Sequence, residues 1–304
     1  MYSNEIKTLD FKCGYASILG IPNVGKSTLM NSILKTKLSI TTSKPQTTRK
    51  KILGIYSDED SQIIFLDTPG IVEPKYLLQK KMVESIDSAL KEADIIISVV
   101  DTNKKTLSNF DETIIPLLKS ANKSQVKFLV INKIDLIKKE ELLQIIDMLN
   151  KKFQFDEIIP VSALTGFNVS ELTATIKKYL PVHEPFYPTD ILSQEPERFF
   201  ISEIIREKVF EFYRDEIPYS TEVIIAEYKE RENSKDYISA EIIIERESQK
   251  KIIIGKGGEA LKKVGLRARK DIEKFLGREV FLELRVKVRE DWRNDPRMMK
   301  DFGY

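Results

Sequence analysis

Short apolar runs alternate with helix-like stretches over the first 180 residues, and this alternation restricts the fold more than any other feature of the 304-residue chain. The runs are continuous in Ile and Val, as is typical of strands buried on both faces. Strands that alternate with helices form βαβ units and a mostly parallel sheet with helices on both faces. The predicted strands are Tyr15–Leu19, Gln62–Leu66, Asp94–Val100, Val126–Ile131 and Ile158–Val161, with Lys50–Tyr56 as an antiparallel edge. The predicted helices are Lys26–Leu34, Tyr76–Lys91, Phe110–Ala121, Lys139–Lys152 and Val169–Tyr179.

Three prolines, Pro181, Pro185 and Pro188, then end this pattern. Such a segment fits neither a helix nor a central strand, so we predict a linker over 181–190. The order of helices and strands changes after this linker. This change predicts an α/β domain over 1–180 and a separate α+β domain over 191–304. Its predicted elements are a helix over Glu197–Arg214, strands over Thr221–Glu230 and Tyr237–Glu245, a helical region around Gly255, and a strand over Val280–Val288.

Composition excludes several classes of protein. The single cysteine, Cys13, excludes an internal disulfide and a thiolate metal cluster, and the single histidine, His183, argues against imidazole zinc sites and a Ser-His-Asp triad. The longest apolar run, Ile95–Val100, is far shorter than the roughly 20 residues of a membrane span. Met1–Asp10 lacks the apolar core of a signal peptide, so we expect a cytoplasmic protein. The formal net charge of +2 argues weakly against a nucleic-acid partner.

The first strand runs directly into a glycine-rich loop with the pattern G-x-x-x-x-G-K-[ST], and a helix follows the loop. Backbone N–H groups in such a loop surround phosphate oxygens, and the helix N-terminus adds partial positive charge. Lys26 is predicted to reach the β- and γ-phosphates, and the Ser27 hydroxyl to bind Mg²⁺. The loop consists of Gly20, Ile21, Pro22, Asn23, Val24, Gly25, Lys26 and Ser27.

Three further segments follow predicted strands at the edge of the sheet where such folds bind ligands. In the first, Asp67 can hold the Mg²⁺ shell and the N–H of Gly70 can face the γ-phosphate. In the second, the Asp135 carboxylate can accept two hydrogen bonds from guanine, which adenine cannot donate. In the third, backbone N–H groups of Ser162 and Ala163 can reach the guanine O6. The segments are Asp67-Thr68-Pro69-Gly70, Asn132-Lys133-Ile134-Asp135 and Ser162-Ala163-Leu164.

This ordered set is similar to the motifs of the translation-factor-related GTPases, and the similarity covers Gly14–Leu180. Within it, Gln46-Thr47-Thr48-Arg49 resembles the Q-T-T-R sequence of the Era family. The resemblance implies that Thr41–Arg49 is switch I and that Thr48, rather than the less favoured Thr47, is a second protein ligand to Mg²⁺. The implied catalytic residues are Lys26, Thr48 and Gly70.

Ile71 follows the Asp67–Gly70 segment, at the point where many GTPases have a water-orienting glutamine. Isoleucine cannot orient or deprotonate water, which leaves slow hydrolysis or GTP binding without turnover. The intact phosphate and Mg²⁺ motifs favour slow hydrolysis. Similar GTPases use K⁺ held by the P-loop asparagine, here Asn23, so K⁺ dependence is a hypothesis.

The last domain contains a second glycine motif, G-x-x-G, at the start of a helix. Glycines there allow close approach of a single-stranded nucleic-acid backbone. Residues 250–270 hold eight basic residues against one acidic residue, a pattern that by itself is also typical of a solvated helix face. With the glycine loop, nucleic-acid binding is favoured. The candidate RNA-binding residues are Ile254, Gly255, Lys256, Gly257, Gly258, Lys262 and Lys263.

Other apolar residues of this domain are predicted to be structural. A stripe at helical spacing belongs to the core rather than to a binding face. The stripe consists of Leu261, Val264, Ala268, Ile272 and Phe275. Trp292 and Tyr304 could stack on bases, but Trp292 is expected to pack the C-terminal tail against the domain.

The order of elements around the G-x-x-G loop resembles a KH domain of the variant type found in bacterial proteins. A GTPase domain joined to such a domain resembles the Era family over nearly the whole chain. This resemblance implies a monomeric, cytoplasmic GTP/GDP switch that binds the 3′ region of 16S rRNA and assists assembly of the 30S subunit. It also implies peripheral association with the inner membrane, which only the basic patches support. The alternatives are an RNA-binding scaffold in which GTP is never hydrolysed and a nucleotide kinase, against which Asp135 argues.

Overall fold

The structure is a computed structural model that describes residues 11–232 and 234–304. The chain forms two compact units, and the second draws in two short segments from the N-terminal half. Of the described residues, the first unit comprises 11–39, 48–72 and 83–194, and the second comprises 40–47, 73–82 and the chain from residue 195 onward. The expectation that Met1–Asp10 is not a signal peptide falls outside the described residues.

The first unit is built on a six-stranded sheet in the order β2-β3-β1-β4-β5-β6. Only β2 is antiparallel to its neighbour, which confirms the mostly parallel sheet with an antiparallel edge. The central strands β3 and β4 are buried along their whole length, as the continuous apolar runs predict. The strands are β1 (Lys12–Leu19), β2 (Ile52–Ser57), β3 (Ser61–Asp67), β4 (Ile95–Asp101), β5 (Val126–Asn132) and β6 (Glu157–Pro160).

Seven helices accompany this sheet: α1 (Lys26–Leu34), α2 (Leu77–Glu92), α3 (Lys104–Ser108), α4 (Phe110–Thr113), α5 (Ile115–Ser120), α6 (Lys139–Lys152) and α7 (Val169–Tyr179). Side chains of α2, α4, α5 and α6 form one apolar cluster with β1, β4 and β5, while α1 packs against α7, β2 and β3. The predicted helix Phe110–Ala121 is divided into α4 and α5. Pro116 lies in the first turn of α5, and because it lacks an N–H it cannot continue the helix from α4.

The Pro-rich segment predicted as a linker packs along the first unit. The N–H of Cys13 donates to the Pro181 carbonyl at 3.0 Å, and Nε2 of Gln62 donates to the Tyr187 carbonyl at 2.9 Å. Proline cannot donate within a sheet, but its carbonyl can still accept hydrogen bonds from a strand. The first unit therefore continues through residue 194, which differs from the predicted linker at 181–190.

The second unit contains a three-stranded sheet in the order β7-β8-β9, with β7 antiparallel and β9 parallel to β8. Its elements are α8 (Glu197–Phe212), β7 (Glu222–Lys229), β8 (Asp236–Ile244), α9 (Glu247–Ile254), α10 (Glu259–Leu276), β9 (Val280–Val288) and α11 (Pro296–Asp301). This order confirms the predicted α+β domain. No helix of the residues described is long and apolar enough to cross a bilayer.

The core of the second unit confirms the middle of the predicted helical stripe but not its ends, since Leu261 is only half-buried and Phe275 is exposed. Val264, Ala268 and Ile272 of α10 are fully buried against side chains of α8 and the sheet. Trp292 is also fully buried, and its indole N–H donates to the Ser220 carbonyl at 2.9 Å. Trp292 therefore fixes the C-terminal tail, as expected, and is not available to stack on a base.

Candidate nucleotide site and nucleic-acid groove

The glycine-rich loop lies between β1 and the start of α1, and two of its glycines are required by close neighbours. At Gly20 a Cβ would lie 2.5 Å from the Val99 carbonyl oxygen. At Gly25 it would lie 2.2 Å from Nδ2 of Asn132, and Gly25 also has a left-handed φ of +97°. Because no larger side chain fits, the backbone N–H groups of the loop can face a phosphate directly.

Lys26, the first residue of α1, is buried within this loop. Its ammonium donates to the carbonyls of Gly20 at 3.0 Å and Ile21 at 3.1 Å. Burial lowers the pKa of Lys26 to about 8, and the charge of Asp67 partly opposes that shift. The structure thus places a weakly solvated cation where the phosphates of a nucleotide would bind.

Three oxygen-bearing side chains meet beside Lys26. The Ser27 hydroxyl donates to Oδ2 of Asp67 at 2.7 Å and lies 2.9 Å from the Thr48 hydroxyl. Oδ1 of Asp67 is buried without a hydrogen-bond partner. Burial raises the pKa of Asp67, whereas the Ser27 hydrogen bond and the Lys26 charge lower it. A carboxylate and hydroxyls around an unsatisfied buried oxygen fit Mg²⁺, which prefers oxygen ligands.

The neighbouring Thr47 is directed elsewhere. Its hydroxyl donates to the Lys44 carbonyl at 2.8 Å and lies 2.7 Å from the Thr42 hydroxyl. Thr48 is therefore the threonine of the pair that lies with Ser27, and its role as a ligand to Mg²⁺ stays a prediction.

The segment Asp67–Gly70 packs against the phosphate loop. A Cβ on Gly70 would lie 2.7 Å from Cγ and 2.8 Å from the backbone nitrogen of Pro22, so glycine is required there. The N–H of Ile71 donates to the Gly20 carbonyl at 3.2 Å, and the Ile71 side chain packs against the core cluster of the first unit. An apolar side chain held in this way cannot orient a water molecule.

The Asn132–Asp135 segment connects the remaining loops. Nδ2 of Asn132 donates to the Val24 carbonyl at 2.8 Å, and its Oδ1 accepts from the N–H of Ala163 at 2.9 Å. Asp135 lies in a short 3₁₀ turn, Ile134–Leu136, and is exposed, so its carboxylate is accessible to a base.

The N–H groups predicted to contact guanine have partners inside the protein. The N–H of Ser162 donates to the Phe167 carbonyl at 3.1 Å, and that of Ala163 donates to Asn132. Their contact with guanine O6 stays a prediction.

Asp101, at the end of β4, was not identified from the sequence. Its Oδ2 pairs with the Lys133 ammonium at 2.7 Å, and the same ammonium donates to the Asn23 carbonyl at 2.6 Å. Lys133 thereby connects β4 to the phosphate loop. The position of Asp101 at the carboxyl end of a parallel strand is the sequence signal that could have found it.

In the second unit, the G-x-x-G loop connects α9 to α10. Gly255, Gly257 and Gly258 have φ values of +72°, +60° and +79°, a region that favours glycine. Lys256 and Gly257 are exposed at the tip, and Ile254 ends α9.

A groove of about 360 Å³ begins at this loop and runs between α10 and β9. Leu266 and Phe281 line it with 57% of their surface exposed, which is unusual for large apolar side chains and typical of a binding surface. Of the predicted RNA-binding residues, Gly258 and Lys262 line the groove, whereas Lys263 does not. The other lining residues are Leu261, Gly265, Arg269, Leu282 and Leu284.

Two protein-family models match the chain in the places where these two sites lie. A model described as a 50S ribosome-binding GTPase matches residues 15–133, and a model described as a KH domain matches residues 216–293. The fold and the site define a P-loop GTPase domain followed by a KH domain.

Relatives that are similar over nearly the whole of this chain specify the family. The GTPase Era of Geotalea daltonii is 48% identical over 97% of this chain and 98% of its own length. The chloroplastic GTPase ERA-like protein of Arabidopsis thaliana is 45% identical over 96% of this chain and 69% of its own length. The chain belongs to the GTPase Era family and is a GTP-hydrolysing enzyme, which decides against a scaffold that never turns GTP over.

Solved structures agree with this assignment. The crystal structure of an alanine-for-tyrosine variant of Aquifex aeolicus Era bound to GDP·AlF₄⁻ is 44% identical, with a TM-score of 0.89, and covers 97% of this chain and 99% of that chain. A crystal structure of Era in complex with MgGDPNP and nucleotides 1506–1542 of 16S ribosomal RNA has the same identity, TM-score and coverage.

Proposed function

We propose that this GTPase is a nucleotide-controlled switch that binds the 3′ region of 16S rRNA through its KH groove and assists assembly of the 30S subunit. The groove beside the glycine loop is the observation that carries the RNA part of the proposal. Its apolar floor and basic rim suit the bases and phosphates of a single strand. The similar Era structure that contains nucleotides 1506–1542 of 16S rRNA supports the choice of this RNA.

The groove offers separate contacts for bases and for phosphates. Phe281 stacks on Tyr237 with ring centroids 6.0 Å apart and an interplanar angle of 14°, so its exposed ring is held in place from the sheet side. A base can stack on such a ring or pack on Leu266. Lys262 and Arg269 lie on the α10 side of the groove, where their charges can contact phosphates.

Binding of the full chain to a labelled RNA with the 3′ end of 16S rRNA tests this proposal. Phe281→Ala should weaken binding about tenfold, since stacking on an aromatic ring contributes about 1–3 kcal/mol per base. Lys262→Ala should also reduce the salt dependence by about 0.7 in the slope of log K against log salt. Lys274→Ala, an exposed lysine at the far end of α10, is the matched control. Unchanged binding in both groove variants would contradict the proposal.

In GTP hydrolysis, the residues of the first unit would stabilise negative charge on the phosphates and hold the phosphates in position. Ser27, Thr48 and Asp67 would hold Mg²⁺, which when bound neutralises charge on the β- and γ-phosphate oxygens. Lys26 supplies a second positive charge to the same phosphates. The backbone N–H of Gly70 would donate to the γ-phosphate, with the loop held against Pro22.

Ile71 provides no group that could orient the attacking water. We therefore propose that hydrolysis is slow and that K⁺, held with the help of Asn23 in the phosphate loop, assists it. The left-handed backbone of Asn23, with φ of +67°, and the hydrogen bond from Lys133 to its carbonyl fix this residue in the loop.

The proposed nucleotide-controlled switch involves segments of the N-terminal half that belong to the second unit. Switch I, 41–49, overlaps the segment 40–47, and the region 67–76, which we take as the second switch region, overlaps the segment 73–82. The N–H of Thr41 donates to the Glu207 carboxylate at 3.0 Å, and the Tyr76 ring lies 4.6 Å from the Arg293 guanidinium. Because the γ-phosphate and Mg²⁺ order switch segments in GTPases, GTP hydrolysis should change how these segments contact α8 and the C-terminal tail.

We further propose a cytoplasmic monomer with peripheral association at the inner membrane, as the family resemblance implies. Sedimentation of the purified chain tests the monomer. Flotation with vesicles of anionic lipid tests the membrane association, which should weaken as salt screens the basic patches.

A further inference from the structure

Arg206 of α8 is a buried guanidinium with a bond to a distant segment. Its side chain is 1% exposed, and its Nε donates to the Glu203 carboxylate at 2.7 Å. Its Nη2 donates to the backbone carbonyl of Thr47 at 2.6 Å. The fork of the guanidinium thus holds a carboxylate of its own helix and a peptide group of the segment 40–47 at once.

The peptide group held by Arg206 leads directly to the metal site. The carbonyl of Thr47 and the N–H of Thr48 belong to one planar unit, so a bond that orients the carbonyl also orients the peptide that ends at the Thr48 Cα. Thr48 is buried, with its hydroxyl 2.9 Å from that of Ser27.

Two other residues of the segment 40–47 also bond to this helix and its C-terminal end. The Thr41 N–H donates to Glu207, and the Lys44 ammonium donates to the carbonyls of Phe210 and Tyr213 at the C-terminal end of α8. These bonds fix the start and the middle of the segment. The bond from Arg206 is the one of these that reaches Thr47, the last residue of the segment.

We propose that Arg206 is a positioning residue for GTP hydrolysis, which holds the Thr47–Thr48 peptide so that the Thr48 hydroxyl stays with Ser27 and Asp67. The inference rests on the proposed role of Thr48 as a ligand to Mg²⁺. It assigns to a helix of the KH-containing unit a direct effect on the affinity of the nucleotide site for Mg²⁺.

Arg206→Lys tests the proposal without leaving Glu203 as an unpaired buried charge. A lysine keeps the positive charge, but it is shorter and lacks the Nε–Nη2 pair with which Arg206 holds both oxygens of Glu203 while Nη2 also donates to the Thr47 carbonyl. Binding of a fluorescent, non-hydrolysable GTP analogue is measured as a function of Mg²⁺ concentration. Arg206→Lys should raise the Mg²⁺ concentration at half-saturation about tenfold and leave GDP affinity within about twofold. Arg198→Lys, in the exposed first turn of α8, is the matched control and should leave both unchanged.

The same substitution in a Thr48→Ala background separates positioning from a general structural effect. If Arg206 acts through Thr48, Arg206→Lys causes no further shift in the Mg²⁺ requirement there, because the two effects are not additive. An equal shift in both backgrounds, or no shift in the wild-type background, would overturn the proposal. A Thr48→Ala variant with an unchanged Mg²⁺ requirement would instead show that Thr48 is no ligand, and the proposed metal site and the inference would both be lost.

Discussion

At the scale of single residues, Lys26 shows how the nucleotide site depends on burial. The side chain is 6% exposed, and this burial lowers its pKa to about 8. We therefore expect a substantial fraction of the nucleotide-free molecules to carry a neutral Lys26 at pH 8. Phosphate groups favour the charged ammonium, so nucleotide binding raises the pKa of Lys26 and takes up a proton.

We predict that GDP affinity is full below the free-state pKa of Lys26 and falls as the pH rises above about 8. Calorimetry at pH 8 in two buffers of different ionisation enthalpy should detect proton uptake on binding. Lys26→Met should remove the uptake and weaken binding at every pH. An affinity that stays constant up to about pH 9.5 would contradict the assignment of Lys26 to the phosphates.

Asp135 gives a prediction about the choice of base. An asparagine retains one acceptor but replaces the other with a donor, which suits the C2 carbonyl of xanthine better than the amine of guanine. Asp135→Asn should lower GTP affinity by roughly 10- to 100-fold, the value of a good bidentate pair, and shift preference towards xanthine nucleotides. Competition between GTP and XTP measures this shift. Asp147→Asn on α6, an exposed partner of Lys151, should leave the preference unchanged.

Asn23 gives a prediction about the cation. If K⁺ contributes positive charge near the phosphates, hydrolysis should be about tenfold faster in KCl than in NaCl, which corresponds to about 1.4 kcal/mol of transition-state stabilisation. Asn23→Ala should reduce this difference. The measurement is single-turnover phosphate release at equal ionic strength, and equal rates in the two salts would exclude K⁺ dependence.

At the scale of elements, the sequence predicts strands and helices correctly where the pattern of apolar residues is continuous along one segment of the chain. The Ile- and Val-rich runs correspond to β3, β4 and β5. A strand that is buried on both faces has a continuous apolar sequence, so it can be predicted without knowing which strands pair with it. The segment 181–190 was different, since its hydrogen bonds connect it to strands more than 100 residues earlier in the chain. Pro116 is a local sequence signal for a break in a helix. The prediction of one continuous helix over Phe110–Ala121 gave more weight to the helical pattern around it.

The turn between α9 and α10 allows a paired prediction. At Gly255 a Cβ would lie 2.7 Å from Cβ of Ala260, whereas at Gly257 it would meet nothing within 4 Å. Gly255→Ala should therefore displace the start of α10 and abolish RNA binding. Gly257→Ala should cost only the left-handed backbone penalty of about 1–2 kcal/mol and keep the fold.

Circular dichroism during urea unfolding, together with RNA affinity, compares these two variants. Equal losses of stability would show that the close contact with Ala260 does not determine the turn.

At the scale of the whole molecule, residues 40–47 and 73–82 belong to the second unit, and the sequence did not reveal this. The segment 40–47 bonds to Arg206 and Glu207, which belong to a set of four buried charged residues of α8: Glu203, Arg206, Glu207 and Lys208. The segment 73–82 instead packs apolar side chains against Trp292. Charged residues at helical spacing usually indicate a solvated face, and only the packed structure shows that these four lie inside. The net charge of +2 was equally uninformative, because the excess of eight basic residues over one acidic residue between 250 and 270 is offset by a net negative charge over the rest of the chain.

This organisation predicts how nucleotide and RNA affect each other. If ordering of the switch segments by GTP favours one arrangement of the second unit, RNA should bind more tightly in the presence of a GTP analogue than in the presence of GDP. Coupling energies of 1–3 kcal/mol are common, so we expect a factor of about 10. Thermodynamic linkage then requires RNA to increase the ratio of GTP-analogue affinity to GDP affinity by the same factor.

Titrations in both directions with the full chain measure the two factors. Lys262→Ala should weaken RNA binding in both nucleotide states and leave their ratio intact, because Lys262 lines the groove itself. Arg206→Lys should reduce the ratio itself, since it loosens the peptide that joins the segment 40–47 to Thr48. Equal RNA affinities with GTP analogue and GDP would show that the two sites act independently and would overturn the switch.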